Sequence, residues 1–340
     1  MKKKVILLTN LGSPDSTSVS DVRSYLAEFL MDEKVIDIPY LPRLLLVRGI
    51  IVPFRAPMSA AKYKTIWTQN GSPLIHITNE LAKCVSDASG FPTYVCMRYA
   101  NPTPQAALEK IKQEHPDVDE VILVPLYPHY AMSSYETAVE HVLNMHRKYG
   151  YSFKMKVVPP FYQDSMYIDA LASSIKPFLE KDYDHILFSY HGVPERHIRK
   201  TDPTGTHCLK CDNCCNMDSE AHKVCYRHQV KVTTELVAAQ LNIPAEKYSF
   251  SFQSRLGRDA WLKPYTAATL REFPSKGKKN IIVVSPAFVS DCLETLEEIQ
   301  VEGKEDFEKA GGKHYEVVPC LNTNEKWVNT ILHLIHKTSA

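Results

Sequence analysis

The chain has 340 residues, room for two domains of ordinary size, and its 44% hydrophobic and 23% charged residues are those of a globular protein, not a disordered or fibrous one. Lys and Arg number 40 against 39 for Asp and Glu and are scattered along the chain, so no nucleic-acid partner is expected and a small-molecule partner is. The opening Met1-Lys2-Lys3-Lys4-Val5-Ile6-Leu7-Leu8 starts like a secretory leader, but the apolar run stops at Thr9-Asn10 without a cleavage pattern, which predicts a cytoplasmic protein.

Strand-like runs at 5–10, 93–98, 121–126, 154–158, 185–190, 248–253, 281–284 and 315–318 alternate with helical patterns, among them 19–31, 104–114, 135–148 and 164–180. That alternation predicts an α/β protein with parallel sheets flanked by helices. Two successive halves are expected, 1–160 and 161–315, with the ligand in the cleft between halves and the last segment, 316–340, carrying a helix that packs back on the first half. No apolar stretch approaches the roughly 20 residues of a membrane span. Residues 41–57, in the first half, alternate apolar residues with arginines, so peripheral contact with a membrane surface is predicted there and spanning is not.

The run 185–190 ends at His191-Gly192-Val193-Pro194, where Gly and Pro stop a strand, so His191 is expected at a carboxyl strand end. The segment 201–228 fits neither half, being polar and without apolar periodicity, and it holds Cys208, Cys211, Cys214, Cys215 and Cys225, five of the nine cysteines. Thiols crowded this way indicate a metal more than a disulfide, and the spacing lets several of them reach one centre, with zinc one candidate. Five thiols for four places leave one spare, expected to be Cys214 or Cys215 because adjacent side chains tend to point apart. The run 281–289 is followed by the helix-start signal Ser290-Asp291, and a helix from there aligns Asp291, Glu294 and Glu298 on one stripe. Ligands of open α/β sheets bind beyond the carboxyl strand ends, where an imidazole and a row of carboxylates can move protons or hold a metal. Taken singly, each motif also reads as a capped acidic helix or a hydrogen-bonded histidine.

Leu11-Gly12-Ser13-Pro14, Gly71-Ser72-Pro73-Leu74, Arg98-Tyr99-Ala100-Asn101-Pro102, Leu126-Tyr127-Pro128-His129-Tyr130, Phe188-Ser189-Tyr190-His191-Gly192-Val193-Pro194, Phe252-Gln253-Ser254-Arg255-Leu256-Gly257 and Ser290-Asp291-Cys292-Leu293-Glu294-Thr295-Leu296 together resemble the ferrochelatases, which insert ferrous iron into a porphyrin to make haem. The resemblance spans nearly the whole chain. It implies the chelatase fold, two similar Rossmann-like halves around a porphyrin cleft, with porphyrin and Fe2+ as substrates. It also implies His191 as catalytic histidine and Glu294 as catalytic glutamate, both in reach of the metal, with Glu298 and Asp291 extending the line of oxygens. Such a site needs a base and a loosely held metal, and imidazole, with an unperturbed pKa of about 6.5, serves as either.

For the macrocycle the resemblance implies Leu11 on its face and Arg55, Ser72, Arg98 and Tyr99 around it. As residues alone, Arg55 reads equally as a solvated charge, Arg98 as a structural ion pair and Tyr99 as core. Asp15 stands where the coproporphyrin-using branch has a tyrosine, which favours protoporphyrin IX, and Cys292 stands where some relatives have histidine. Some members hold a [2Fe–2S] cluster in an internal Cys-rich insertion, which implies that cluster on four of the five clustered thiols. The rival readings are a coproporphyrin ferrochelatase, a sirohydrochlorin cobalt or nickel chelatase, and a non-catalytic haem- or metal-binding protein. A sirohydrochlorin site needs extra cations for its many carboxylates, whereas 41–54 is rich in Leu, Ile and Val.

Overall fold

The computed structural model describes residues 3–255, 257 and 259–339, so Leu256 of the 252–257 motif lies outside the described residues, as do Met1, Lys2, Arg258 and Ala340. The chain divides into two compact units, Met1–Leu126 with Met132–Pro159 and Ile331–Ala340, and Tyr127–Ala131 with Pro160–Thr330. The division is therefore not one cut near 160. A short piece after the third strand counts with the second unit and the end of the last helix, Glu325–Ser339, with the first.

The first unit is built on β1 (Lys4–Asn10), β2 (Thr93–Met97), β3 (Glu120–Pro125) and β4 (Lys154–Val157), parallel throughout and ordered β2-β1-β3-β4. Successive β1 residues Val5, Ile6, Leu7 and Leu8 are all buried, although they point to opposite faces, so helices must cover the sheet on both sides. On one face Val5, Leu7 and Leu123 pack with Leu108 and Ile111 of the helix Pro104–Glu114. That helix starts where Thr103 accepts the Ala106 N–H and Pro104 takes the first position, where no donor is needed. After β1 the chain turns at Gly12, whose φ is 107° and where a Cβ would lie 1.9 Å from the Tyr99 carbonyl oxygen, so only glycine fits.

Residues Tyr40–Ile66 form one 27-residue helix that by length and composition is long and apolar enough to cross a membrane, contrary to the expectation from sequence. Its middle, Leu45–Ile51, is π-wound. The sequence pattern hid the helix because arginines and prolines interrupt it. Arg43 turns inward to donate to the Ile36 and Ile38 carbonyls, Pro53 sits near the start of the α-wound part, and Pro57 lies inside it without ending the helix. Arg43, Val47, Val52, Ala56, Ala60 and Tyr63 form the buried face, with Tyr63 edge-on to Tyr25 of the helix Val19–Met31 at 6.4 Å. The opposite face is exposed.

The second unit repeats the plan with β5 (His185–His191), β6 (Tyr248–Gln253), β7 (Asn280–Val284) and β8 (His314–Val317), parallel and ordered β6-β5-β7-β8. Strand β5 takes the place of β1, and the direction of winding reverses between β5 and β7, the point where open α/β sheets place their ligands. The connections leaving the carboxyl ends of these two strands hold the candidate site.

Candidate active site

His191 is the last residue of β5. The N–H of Gly192 donates to the Gln253 carbonyl of β6 at 2.8 Å, and a Cβ at 192 would itself lie 2.8 Å from that oxygen, so the residue after the histidine has to be glycine. The imidazole lies 6.2 Å from the Phe288 ring at 72°. Burial pushes its pKa below the usual imidazole value, while the Glu294 carboxylate pulls it the other way. The ring is therefore neutral at neutral pH, with a lone pair for a proton or a metal ion.

The carboxylate row differs from the expected stripe. The helix begins at Leu293 rather than Ser290, and Glu294–Gly303 is π-wound, with Thr295, Ile299 and Gly303 on its buried side. Bonds from i to i+5 widen each turn, so residues four and five apart share a face. Glu294 and Glu298 fit that spacing. Asp291, ahead of the helix, accepts from Asn322 Nδ2 at 2.7 Å and from the Thr295 hydroxyl at 3.0 Å, while its own N–H donates to Asn322 Oδ1 at 2.9 Å. It is a clasp, with its oxygens turned to these partners. Cys292 is a buried thiol held protonated by burial and by its bond to Glu294. Glu298 accepts from the Ser254 hydroxyl. No signal in the sequence marks Ser254 for this contact, although it falls within a family motif.

In the connection after β5, the thiols are gathered by polar contacts instead of a core. Asp202 accepts from the N–H groups of Thr204, His207 and Cys208, which outweigh its burial and hold its carboxyl well below the usual range. His207 meets the Cys214 carbonyl at 2.8 Å and His228 the Cys215 carbonyl at 2.9 Å, and His228 stacks on His222 with centroids 3.6 Å apart. Cys225 bonds to Cys208 and Cys215; the Cys208 bond and burial push its pKa up to about 12 against the opposing effect of the Cys215 bond, and Cys215 bonds in turn to Cys214. All four are buried.

The expected spare was Cys214 or Cys215, but the structure leaves Cys211 outside, exposed, with its sulfur 3.7 Å from Met217 Sδ. The reason is local. Cys214–Asn216 is a 3₁₀ turn, in which neighbours are a third of a turn apart and not opposed, so both thiols can face inward. Among the described residues no three His, Cys, Asp or Glu side chains are arranged as a metal-holding group, so these thiols are neighbours without being a formed coordination shell.

A profile of the ferrochelatase family matches residues 3–339. A ferrochelatase of Opitutus terrae is 45% identical over 338 residues, covering 98% of this chain and 97% of the relative, and one of Stutzerimonas stutzeri is 43% identical over 336 residues, covering 98% of each. The chain belongs to the ferrochelatase family. Two structures of SirB from Bacillus subtilis, one with Fe3+ and one, a sirohydrochlorin chelatase, with cobalt, share the fold at TM-scores of 0.55 and 0.53 over 99% of this chain and 96% and 95% of theirs. Their identities are 14% and 11%, so the sirohydrochlorin rival shares the architecture and the ferrochelatases share the sequence.

The ferrochelatase resemblance assigned five residues of the first unit to the macrocycle, and their settings differ. Leu11 is partly buried, with its carbonyl accepting the Tyr99 N–H at 2.9 Å. Arg55 is exposed on the helix Tyr40–Ile66, and Ser72 is buried at the start of the helix Pro73–Ser89 without capping it. Arg98 and Tyr99 share one carboxylate. Arg98 pairs with Asp32 and lies 4.4 Å over the Tyr99 ring, and the Tyr99 hydroxyl donates to the same carboxylate at 2.8 Å. Burial opposes the charge on Asp32, but Thr137, Arg98 and Tyr99 together hold its pKa below the ordinary value. These two residues thus have the structural setting that the residues alone had allowed. Asp15 is exposed and accepts from Asn101 Nδ2 through both oxygens, at 3.1 and 3.0 Å.

Proposed function

We propose that His191 and Glu294 perform the metal insertion that membership of the ferrochelatase family makes this chain's activity in haem biosynthesis. A free-base porphyrin must lose two pyrrole protons as the metal enters. The observation that carries the assignment is an imidazole at the switch-point strand end, its pKa lowered by burial, with a carboxylate close enough to act on its proton affinity. The imidazole accepts one pyrrole proton, with Glu294 stabilising the imidazolium that forms or sharing the incoming Fe2+, and once that proton has passed to solvent it accepts the second. Glu298 continues the line of oxygens along the π-wound face, whereas the partners of Asp291 make it a positioning group. For the porphyrin, the exposed Arg55 and the setting of Leu11 and Ser72 support the roles that the family resemblance gives them, and Asp15 supports protoporphyrin IX as the substrate.

In anaerobic absorbance assays with protoporphyrin IX and ferrous iron, the wild-type protein is expected to turn over and folded His191→Ala to lose at least about 100-fold in kcat while still binding porphyrin. Near wild-type turnover in that variant removes His191 from the mechanism, and faster turnover with coproporphyrin would move the substrate assignment.

The thiol loop is read as the seat of a [2Fe–2S] cluster on Cys208, Cys214, Cys215 and Cys225. The all-sulfur donor set and its burial support this. When bound, the cluster supplies the node that an apolar core would otherwise give the loop. All nine cysteines are free thiols, which suits a cytoplasmic protein, and the exposed face of the helix Tyr40–Ile66 suits peripheral contact with a membrane.

A further inference from the structure

Tyr226 joins two features of the second unit. It is the first residue of the helix Tyr226–Gln240, whose cap is Cys225, and Cys225 is the thiol bonded to both Cys208 and Cys215. Its hydroxyl donates to the His191 carbonyl at 2.9 Å. The ring is buried, edge-on to His129 at 5.9 Å and tilted against Phe252 at 6.5 Å. Burial also pushes its phenol far above the usual range, so it stays protonated and remains a donor. With only two side-chain torsions, both confined by this packing, the hydroxyl goes where the backbone of residue 226 puts it.

The bond matters because of where the His191 carbonyl points. In a trans peptide the C=O and the following N–H point in opposite directions. The N–H of Gly192 is aimed at β6, so the His191 carbonyl is aimed toward the β7 side, where strand pairing has already ended at Phe188↔Val284. The peptide between His191 and Gly192 is thus held from both ends, by the Gln253 carbonyl on one side and the Tyr226 hydroxyl on the other. Rotation of that peptide plane would turn the bond on which the imidazole is carried.

We propose that Tyr226 is a positioning residue for metal insertion: through the His191 carbonyl it sets the direction in which the imidazole leaves the strand end, and it passes the state of the thiol loop to that ring. The proposal rests on the reading of His191 as the catalytic base, and the experiment separates the two.

Tyr226→Phe keeps the ring and removes one donor. Its kcat is expected to fall about tenfold with the KM for protoporphyrin changed less than about twofold, since a small misplacement of the base is paid in the chemical step. Amide hydrogen exchange across 189–193 should quicken by about tenfold, the loss of one hydrogen bond. Cys225→Ser alone should lower kcat in the same way, and in the Tyr226→Phe background it should add less than about twofold, because both changes act through one contact. Wild-type kcat and exchange in Tyr226→Phe, or fully additive losses in the double variant, overturn the proposal. Should Tyr226→Phe fail to fold, Cys208→Ser leaves Tyr226 in place and loosens Cys225, and unchanged exchange at 189–193 in that variant overturns it equally. An active His191→Ala variant would instead sink the assignment of the base, while the exchange measurement still decides the role of Tyr226.

Discussion

Glu294 and Glu298 stand four residues apart on one π-wound face, yet their partners give them different work. Glu294 receives the Cys292 thiol and acts on His191, whereas Glu298 is tied to Ser254, a residue whose φ of 63° points to a backbone shaped for that contact. Glutamine keeps the shape and loses the charge. Glu294→Gln is therefore expected to lower kcat by about 100-fold and Glu298→Gln by less than about tenfold, with porphyrin affinity little changed in either, measured by steady-state kinetics and porphyrin fluorescence quenching. Equal and small losses would reduce the segment to a solvated helix face. The sequence identified both glutamates and His191 because their motifs are local. It did not show that Asp291 is spoken for, because its partner Asn322 lies 31 residues on, past β8, and periodicity carries no information over that distance.

At the scale of elements, two places where the structure departs from the sequence pattern share a cause, a local rule displaced by a contact from elsewhere. The spacing around 290–298 reads as an α-helix, but the Tyr315 hydroxyl, from β8, donates to the Ile299 carbonyl at 2.8 Å within the π-wound segment. In the thiol loop, adjacency suggested that Cys214 and Cys215 diverge, but the 3₁₀ turn and the His207 and His228 contacts to their carbonyls turn both inward. The cluster proposed for this loop can be tested on that arrangement. Protein purified without oxygen should be coloured, with iron and acid-labile sulfide in equal amounts, and Cys211→Ser should keep that content while Cys225→Ser loses it. Loss of colour in Cys211→Ser would put that thiol back among the ligands, and colourless protein with stoichiometric zinc would leave a structural metal in place of a cluster.

For the molecule as a whole, the central strands β1, β3, β5 and β7 were legible because strands buried on both faces leave continuous apolar runs, and the flanking strands were legible from the alternation with helical patterns that the two sheets repeat. The helix Tyr40–Ile66 was legible only as an apolar stretch punctuated by arginine, and its structure divides that stretch into two faces. Val47 and Ala56 are fully buried, whereas Leu41, Leu45, Phe54 and Met58 are 67%, 71%, 73% and 67% exposed. Immersing such side chains in a lipid interface stabilises by up to about 1.5–3 kcal/mol each, and each nearby arginine adds roughly 1 kcal/mol toward anionic headgroups. Arg48 and Arg55 are exposed on the same helix. A helix already packed on its own unit through Tyr63 and Arg43 would have to abandon those contacts to span, so it is expected to lie flat at the surface. The protein should therefore sediment with phosphatidylglycerol-containing vesicles and be released in part by high salt, which screens only the arginine share. Leu45→Ser combined with Phe54→Ser should weaken binding by at least about tenfold without lowering the melting temperature, because both side chains are on the exposed face. Protein that stays in the supernatant at low salt would refute the membrane contact, and protein that only detergent extracts would mean that the helix inserts.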